Sequence, residues 1–419
     1  MTDSKTSGDG GSNEYDVVVV GAGFSGLYQV YRLREMGLRV LCLEAAPAVG
    51  GTWYWNCYPG ARVDSEAKVY QYWFSEELID EWDWSERFPA QPETERYLNY
   101  VADKFDLRRH IQFNTRVNAA HWDEGGRCWR VDTEQGERFS GRYFISCAGV
   151  LSVPKVPDIP GQERFSGTVV HTARYPREGL DLKGKRVGVV GCGATGVQVI
   201  QTIAGEVEHL TAFQRTPCYG IAIRNDKLDD ATREQWRAQS SETKERVWNT
   251  FVGFQFDFDN GAWDDYTPEE RREVLERLWA DGSLAPWVGG FEEVFFDEDA
   301  NAEMSEFARE KIRAQVKDPE TAEKLTPRKA GFGTYRVPLE SGYYEAFNRD
   351  NVTLVDAGDT PIRCYTETGL ETSDGHYDLD VVILATGFDA STGPLTSICL
   401  LYTSDAADDS VYVYISVVA

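Results

Sequence analysis

The sequence predicts an α/β fold with two parallel-sheet units, the second interrupted by a helical insertion. Three observations carry that expectation: two glycine-rich turns of one design, a Val-rich strand pattern before each, and a Glu/Arg-rich helical stretch after the second. The turns are Gly21-Ala22-Gly23-Phe24-Ser25-Gly26 and Gly191-Cys192-Gly193-Ala194-Thr195-Gly196. One such string is a weak signal, but two in strand–turn–helix context are hard to obtain by chance. The first glycine makes the turn, the second lets backbone approach a pyrophosphate, and the third lets helix pack on strand. Each helix N-terminus then offers N–H groups and its positive dipole end to the anion. Both units are therefore expected to be Rossmann-like dinucleotide-binding domains. Gly21, Gly23, Ser25 and Gly26 line the first site; Gly191, Gly193, Ala194, Thr195, Gly196 and Gln198 line the second.

What separates the two sites is the residue ending each unit's second strand, where the ribose is read. In the first unit the run Arg39-Val40-Leu41-Cys42-Leu43 ends on Glu44, which accepts bonds from ribose hydroxyls and repels a 2′-phosphate. In the second the run from His209 ends at Arg215 and Thr216. A guanidinium there favours a 2′-phosphate, so this site reads as NADP.

Composition agrees with a large enzyme. With 419 residues and 42% hydrophobic content the chain can bury two cores. A formal charge of −26 argues against nucleic acid or an anionic membrane surface as partner. Eight cysteines are scattered without a C-x-x-C pair, and the five histidines show no metal spacing, so no metal is expected. Such cysteines read as reduced thiols of a cytoplasmic protein. No apolar stretch is long enough to span a bilayer. The crowding of Trp53, Trp55, Trp73, Trp82 and Trp84 is most simply a large aromatic core.

The linker holding Pro154, Pro157 and Pro160 resists helix and marks a boundary. The expected organisation is a disordered Ser/Gly/Asp-rich leader at 1–14 and a first domain at 15–152. A second domain follows at 153–387, with a helical insertion at about 225–330, and a segment returning to the first domain begins at 388–396.

Beyond Glu44 come Gly50-Gly51-Thr52-Trp53 and, late in the chain, Ala385-Thr386-Gly387-Phe388-Asp389. This pairing resembles flavoprotein monooxygenases and implies FAD in the first unit. The residues Phe165, Gly167, His171, Tyr175 and Pro176 are similar to the F-x-G-x-x-x-H-x-x-x-(W/Y)-P fingerprint of type I Baeyer–Villiger monooxygenases. Pro176 favours that branch over N-hydroxylating and other flavin-containing monooxygenases. Resemblance extends over residues 15–395. Tyr58-Pro59-Gly60-Ala61-Arg62-Val63-Asp64 is similar to the family's flavin-facing segment, and Gly331-Phe332-Gly333-Thr334-Tyr335-Arg336 resembles the loop carrying its active-site arginine.

The resemblance implies FAD bound also by Gly51, Thr52, Trp53, Trp55, Asp64, Tyr70, Val117, Ala148 and Asp389, and NADP bound also by Arg336. It implies NADPH- and O2-dependent insertion of one oxygen next to a ketone carbonyl, giving an ester or lactone through a C4a-peroxyflavin. Arg336 is then catalytic, a fixed cation without a readily lost proton, and Asp64 aims its fork. His171 is expected to organise the domain junction rather than transfer protons. One departure is visible: Tyr335 stands where family members often place a second basic residue. The alternatives are an N- or S-oxidising flavin monooxygenase and an inactive nucleotide-binding fragment. Substrate size and oligomeric state stay open.

From Cys399 the string Cys399-Leu400-Leu401-Tyr402-Thr403-Ser404-Asp405 looks like an in-frame translation of a sequencing-library adapter. Residues 397–419 are expected to lie outside the fold, and the returning segment to be truncated.

Overall fold

The structure, a computed structural model, describes residues 14–390 and 392–401. The described residues divide into two compact units, one of 14–54, 95–153 and 389–401 (391 aside), the other of 55–94 and 154–388.

In the first unit, strands β1 (Glu14–Val20), β2 (Val40–Leu43), β3 (Ile111–Gln112), β4 (Val117–Asp123), β5 (Cys128–Thr133) and β6 (Arg138–Ser146) share one seven-stranded sheet with a short strand at Cys399–Leu401. β1 runs parallel to both neighbours, Val18 facing Leu41 of β2 and Phe144 of β6. A strand covered on both faces reads as a continuous apolar run, and Val17, Val18, Val19 and Val20 are all buried. Each contributes about 1.5–3 kcal/mol by leaving water. Helices α1 (Phe24–Glu35) and α2 (Thr52–Trp55) follow in chain order; α3 (Glu76–Glu81) falls in the second unit, and most of α4 (Gln91–Lys104) is again in the first.

The second unit is built on β7 (Thr168–His171), β8 (Arg186–Val190), β9 (His209–Gln214), β10 (Ile221–Ala222), β11 (Leu339–Glu340), β12 (Val352–Asp356), β13 (Ile362–Tyr365), β14 (Gly369–Thr372), β15 (His376–Asp378) and β16 (Val381–Leu384). Five of these form a parallel sheet in the order β12-β9-β8-β16-β7. Helix α5 (Ala194–Ile203) joins β8 to β9, the βαβ unit its sequence pattern anticipates. The insertion is helical as expected: α6 (Asp230–Ala238), α7 (Ser240–Asn249), α8 (Pro268–Ala280), α9 (Ala285–Val288), α10 (Glu298–Gln315) and α11 (Pro319–Leu325), with α12 (Tyr343–Ala346) beyond it. α8 starts where its sequence says it should, with Pro268 at the first position and a reciprocal capping box between Thr267 and Glu270.

Three stretches differ from the sequence expectation. Glu14, assigned to the leader, already pairs with Ser140 in the sheet; the rest of that leader lies outside the described residues. Residues 55–94, placed with the first domain, cluster with the second unit, where Gly60 lies against Gln198 of α5. Cys399–Leu401, assigned to a tail outside the fold, pairs in parallel with β4, since that edge strand presents free backbone groups. The remainder of that tail, 402–419, lies outside the described residues.

One buried carboxyl in the second unit carries a pH signature. Glu340 is 1% exposed, and its Oε2 accepts the N–H groups of Gly342 at 2.9 Å and Tyr343 at 3.0 Å. Burial pushes its pKa up to about 7 from the ordinary 4.5. Since the folded protein prefers the protonated form, the stability tied to this group is complete below pH 4.5 and is lost as pH rises through 7. Glu340→Gln keeps an acceptor for both N–H groups without the charge. Melting curves between about pH 5 and pH 8 should show the variant gaining up to ~3 kcal/mol on the wild type as pH rises. Parallel curves would contradict this assignment.

Candidate active site

The two glycine turns fold alike. β1 and β8 each run into a glycine with left-handed backbone, Gly21 at φ 100° and Gly191 at φ 103°. Their N–H groups bond the end of the neighbouring strand, Gly21 to Leu43 O at 2.9 Å and Gly191 to Phe213 O at 3.0 Å. At the third glycine, Gly26 or Gly196, any side chain would drive into the carbonyl oxygen of the first. The middle glycines, Gly23 and Gly193, are the N-caps of α1 and α5, and neither helix has a side-chain cap. A methyl carbon at Gly193 would meet nothing within 4 Å, so the second turn is open on its outer side. Over the first turn the glycine doublet closes: Gly50 N–H donates to Ala22 O at 3.1 Å, and a methyl carbon at Gly23 would stand 3.3 Å from Gly51 Cα. Walls of bare backbone beside uncapped helix N-termini fit a diphosphate at both places.

The two residues expected to read a ribose occupy contrasting surroundings. Glu44 is 4% exposed; one oxygen accepts Ala22 N–H at 2.6 Å and the other Ala46 N–H at 2.7 Å. Burial raises its pKa, while those N–H groups and Arg116 oppose the rise. Arg215 and Thr216 are exposed, and Arg215 has no ion pair among the described residues. The guanidinium is therefore available to a phosphate. Tyr335 is 65% exposed and brings no charge.

Arg336 and Asp64, 272 residues apart, meet within the second unit. Nε and Nη2 of the arginine both donate to Asp64 Oδ2, at 3.0 and 2.6 Å. The Arg336 side chain is 49% exposed, where an ion pair alone holds weakly. Two further supports act on it. Its guanidinium lies 5.6 Å from the centre of the Trp287 ring. Its loop is pinned to α10: Asn301 Nδ2 donates to Phe332 O at 3.0 Å, and Phe332 N–H donates to Ser305 Oγ at 2.8 Å. Gly333, at φ 79°, is bare where a methyl carbon would stand 2.5 Å from Trp287 Nε1. On the other side, the Asp64 loop rests on α5. The Tyr58 hydroxyl donates to Gln198 Oε1 at 2.9 Å, and Gln198 Nε2 donates to Arg62 O at 3.0 Å.

The fingerprint residues lie on and beside β7, at the edge of the parallel sheet. Phe165 is buried 5.9 Å from the Tyr365 ring, and Gly167 is bare where a methyl carbon would stand 2.5 Å from the Phe165 ring. His171 Nδ1 accepts Ala173 N–H at 3.1 Å, and Nε2 lies 3.3 Å from Thr386 Oγ1, whose hydroxyl donates to Lys155 O at 2.6 Å. Burial holds the imidazole below its usual range, in the neutral form this bonding requires. Tyr175 is buried, with Pro176 following half-buried, and its carbonyl accepts Cys57 Sγ–H at 3.3 Å.

Other residues assigned to FAD are distributed over both units. Ser25 and Ala148 are half-buried, Trp53 and Val117 buried, and Thr52 exposed in the first. Asp389 is exposed there, with Cγ 2.7 Å from where a methyl carbon on Gly393 would stand. Trp55, Asp64 and Tyr70 belong to the second, Trp55 lying 4.6 Å below the Arg174 guanidinium. The sequence pattern does not single out Trp287, and it marks Tyr58 and Gly60 only as members of a longer motif. Trp287 carries no local signal, since its partner is 49 positions away by sequence numbering. A glycine between Pro59 and Ala61 is the one cue for a close approach at Gly60.

Two dinucleotide turns and a guanidinium held by a carboxylate define a flavin monooxygenase of the two-nucleotide class. A family of flavin-binding monooxygenase-like proteins matches residues 14–221. The chain is 50% identical over 384 residues to an acetone monooxygenase (methyl acetate-forming) of Gordonia sp. (strain TY-5), spanning 91% of this chain and 72% of that protein. It is 41% identical to a cyclopentanone 1,2-monooxygenase of Comamonas sp., spanning 92% and 70% respectively. Among solved structures, an oxidized steroid monooxygenase bound to NADP superposes with a TM-score of 0.90 at 47% identity, covering 92% of this chain and 74% of that one. A complex of OTEMO with FAD and NADP superposes equally well, at 0.90 and 42% identity, with the same coverage of both chains. The chain belongs to the Baeyer–Villiger monooxygenases, FAD- and NADPH-dependent enzymes that insert one oxygen atom beside a ketone carbonyl.

Proposed function

We propose that Arg336 supplies the catalytic charge for conversion of a ketone to an ester or lactone, with FAD on the first turn and NADPH on the second. The observation that carries this reading is the Arg336–Asp64 pair, fixed on one side by α10 and on the other by α5. FAD, when bound, supplies the electron transfer and the activation of O2. Arg336 contributes a positive charge that persists at any working pH, because a guanidinium does not release its proton. Negative charge developing on the carbonyl oxygen of the substrate is stabilised by such a preorganised cation. Asp64 and Trp287 restrict where that cation points. His171 has both ring nitrogens engaged and serves that sheet edge rather than proton transfer. Ketones are the substrate class; the protein acts in the cytoplasm, a compartment that suits buried, reduced thiols.

Turnover of a ketone panel with NADPH, O2 and the FAD-loaded protein tests the reading, with ester or lactone as the expected product. N-oxides or sulfoxides from amines and thioethers, with no ester from any ketone, would overturn it. Arg215→Ala tests the assignment of the second turn. It should raise KM for NADPH about tenfold to a hundredfold, the worth of a hydrogen bond to a charged group, and leave KM for NADH unchanged. An equal rise for both nucleotides would refute it.

A further inference from the structure

We infer that Gln198 and Tyr58 are positioning residues that couple the NADP seat on α5 to the Arg336–Asp64 pair. The inference rests on the reading of α5 as the NADP helix. Its path lies wholly within the second unit. Gln198 sits one turn into α5 and commits both ends of its amide to the loop that carries Asp64: Oε1 accepts the Tyr58 hydroxyl at 2.9 Å, and Nε2 donates to Arg62 O at 3.0 Å. Thr195, in the first turn of the same helix, stands beside the same phenol and opposes the rise in its pKa. Gly60, at φ 80°, lies flat on the helix: a methyl carbon there would stand 2.5 Å from Gln198 O and overlap the Thr202 hydroxyl. The loop therefore has no slack. Asp64 follows Arg62 by two residues and takes Nε and Nη2 of Arg336 on a single oxygen.

A rigid path of this kind transmits small displacements. When a diphosphate settles on the N-terminus of α5 and recruits the Thr195 hydroxyl, Tyr58 and the Gln198 amide must readjust. Arg62 O moves with Gln198 Nε2, Asp64 moves with Arg62, and the guanidinium follows its carboxylate. Burial pushes the Tyr58 phenol up to about 12, so its O–H stays available as a donor throughout the neutral range. Gln198 is thereby a strut between helix and loop, in place of the simple NADP contact that its position in the motif suggests.

A double-mutant cycle on NADP+ affinity tests this without reference to turnover. Dissociation constants are measured by titration of the FAD-loaded full chain for wild type, Gln198→Ala, Arg336→Ala and the double variant, with melting temperature as a folding control. Gln198→Ala should weaken NADP+ about fivefold to tenfold in the wild-type background and less than about twofold when Arg336 is already absent. Factors that multiply independently would overturn the coupling, because a strut of purely structural importance lowers the melting temperature yet leaves the cycle additive. Tyr58→Phe removes one bond of the path and should repeat the non-additivity at smaller size. It also replaces Gln198→Ala in the cycle if that variant does not fold. Wild-type protein that binds no NADP+ would sink the reading of α5 itself, an outcome distinct from an additive cycle.

Discussion

Arg336→Ala should sharply reduce ester formation while FAD stays bound. The loss expected from removing a preorganised charge is about 10²–10³ in kcat. Arg336→Lys keeps the charge but not the fork that spans Nε and Nη2 on Asp64 Oδ2, so it should recover only a small part of the activity. Asp64→Asn keeps the shape of the partner and removes its charge, leaving the guanidinium held by Trp287 and the half-exposed loop. Its activity should fall between those of wild type and Arg336→Ala. The measurements are ester yield by gas chromatography and flavin absorbance per protein. Wild-type ester yield from Arg336→Ala would remove the cation from the chemistry altogether.

The second large effect separates the two turns. Gly26→Ala and Gly196→Ala place a methyl carbon against the carbonyl oxygens of Gly21 and Gly191, and backbone on both sides leaves nothing flexible to yield. A strained turn costs about 1–3 kcal/mol at least, and one that must open loses its ligand. Gly26→Ala should therefore be purified with less than about a tenth of the wild-type flavin. Gly196→Ala should retain flavin and bind NADP+ about a hundredfold more weakly, equivalent to ~3 kcal/mol. If either substitution removed both nucleotides, or neither, the one-turn, one-nucleotide assignment would fail.

Much of this site is legible in the amino-acid sequence itself. Gly21, Gly26, Gly191 and Gly196 are dictated locally, by φ and by a carbonyl five residues back, so a short string of letters records them. Glu44 and Arg215 are legible for the same reason, being fixed in position by the strands they end. Arg336 and Asp64 are recoverable through family resemblance alone, because nothing in their own neighbourhoods announces a partner 272 residues away. The allegiance of residues 55–94 is not legible. It depends on Gly60 meeting α5 and on a partly buried network in which Arg87 bonds Glu66 and the Asp281 carbonyl, contacts set by tertiary packing. Trp287 is hidden likewise, since a tryptophan among twelve looks like core until the ring is seen beneath a guanidinium. At Cys399–Leu401 the string looks foreign, yet an unfilled sheet edge accepts three residues of almost any extended chain.

The scattered cysteines have a chemical consequence for an oxygen-handling protein. Cys42 Sγ lies 3.4 Å from Gly21 O, and Cys218 Sγ lies 3.1 Å from Cys192 O, so sulfur stands directly behind each nucleotide turn. Burial pushes Cys147, Cys192 and Cys218 up to about 12 and Cys42 well above its ordinary 9.0. Burial thus holds these thiols in the neutral form, and the thiolate is the form that oxidants attack. The sulfur behind both turns is thus chemically mute, and stray peroxide leaving the flavin finds no nucleophile there to burn.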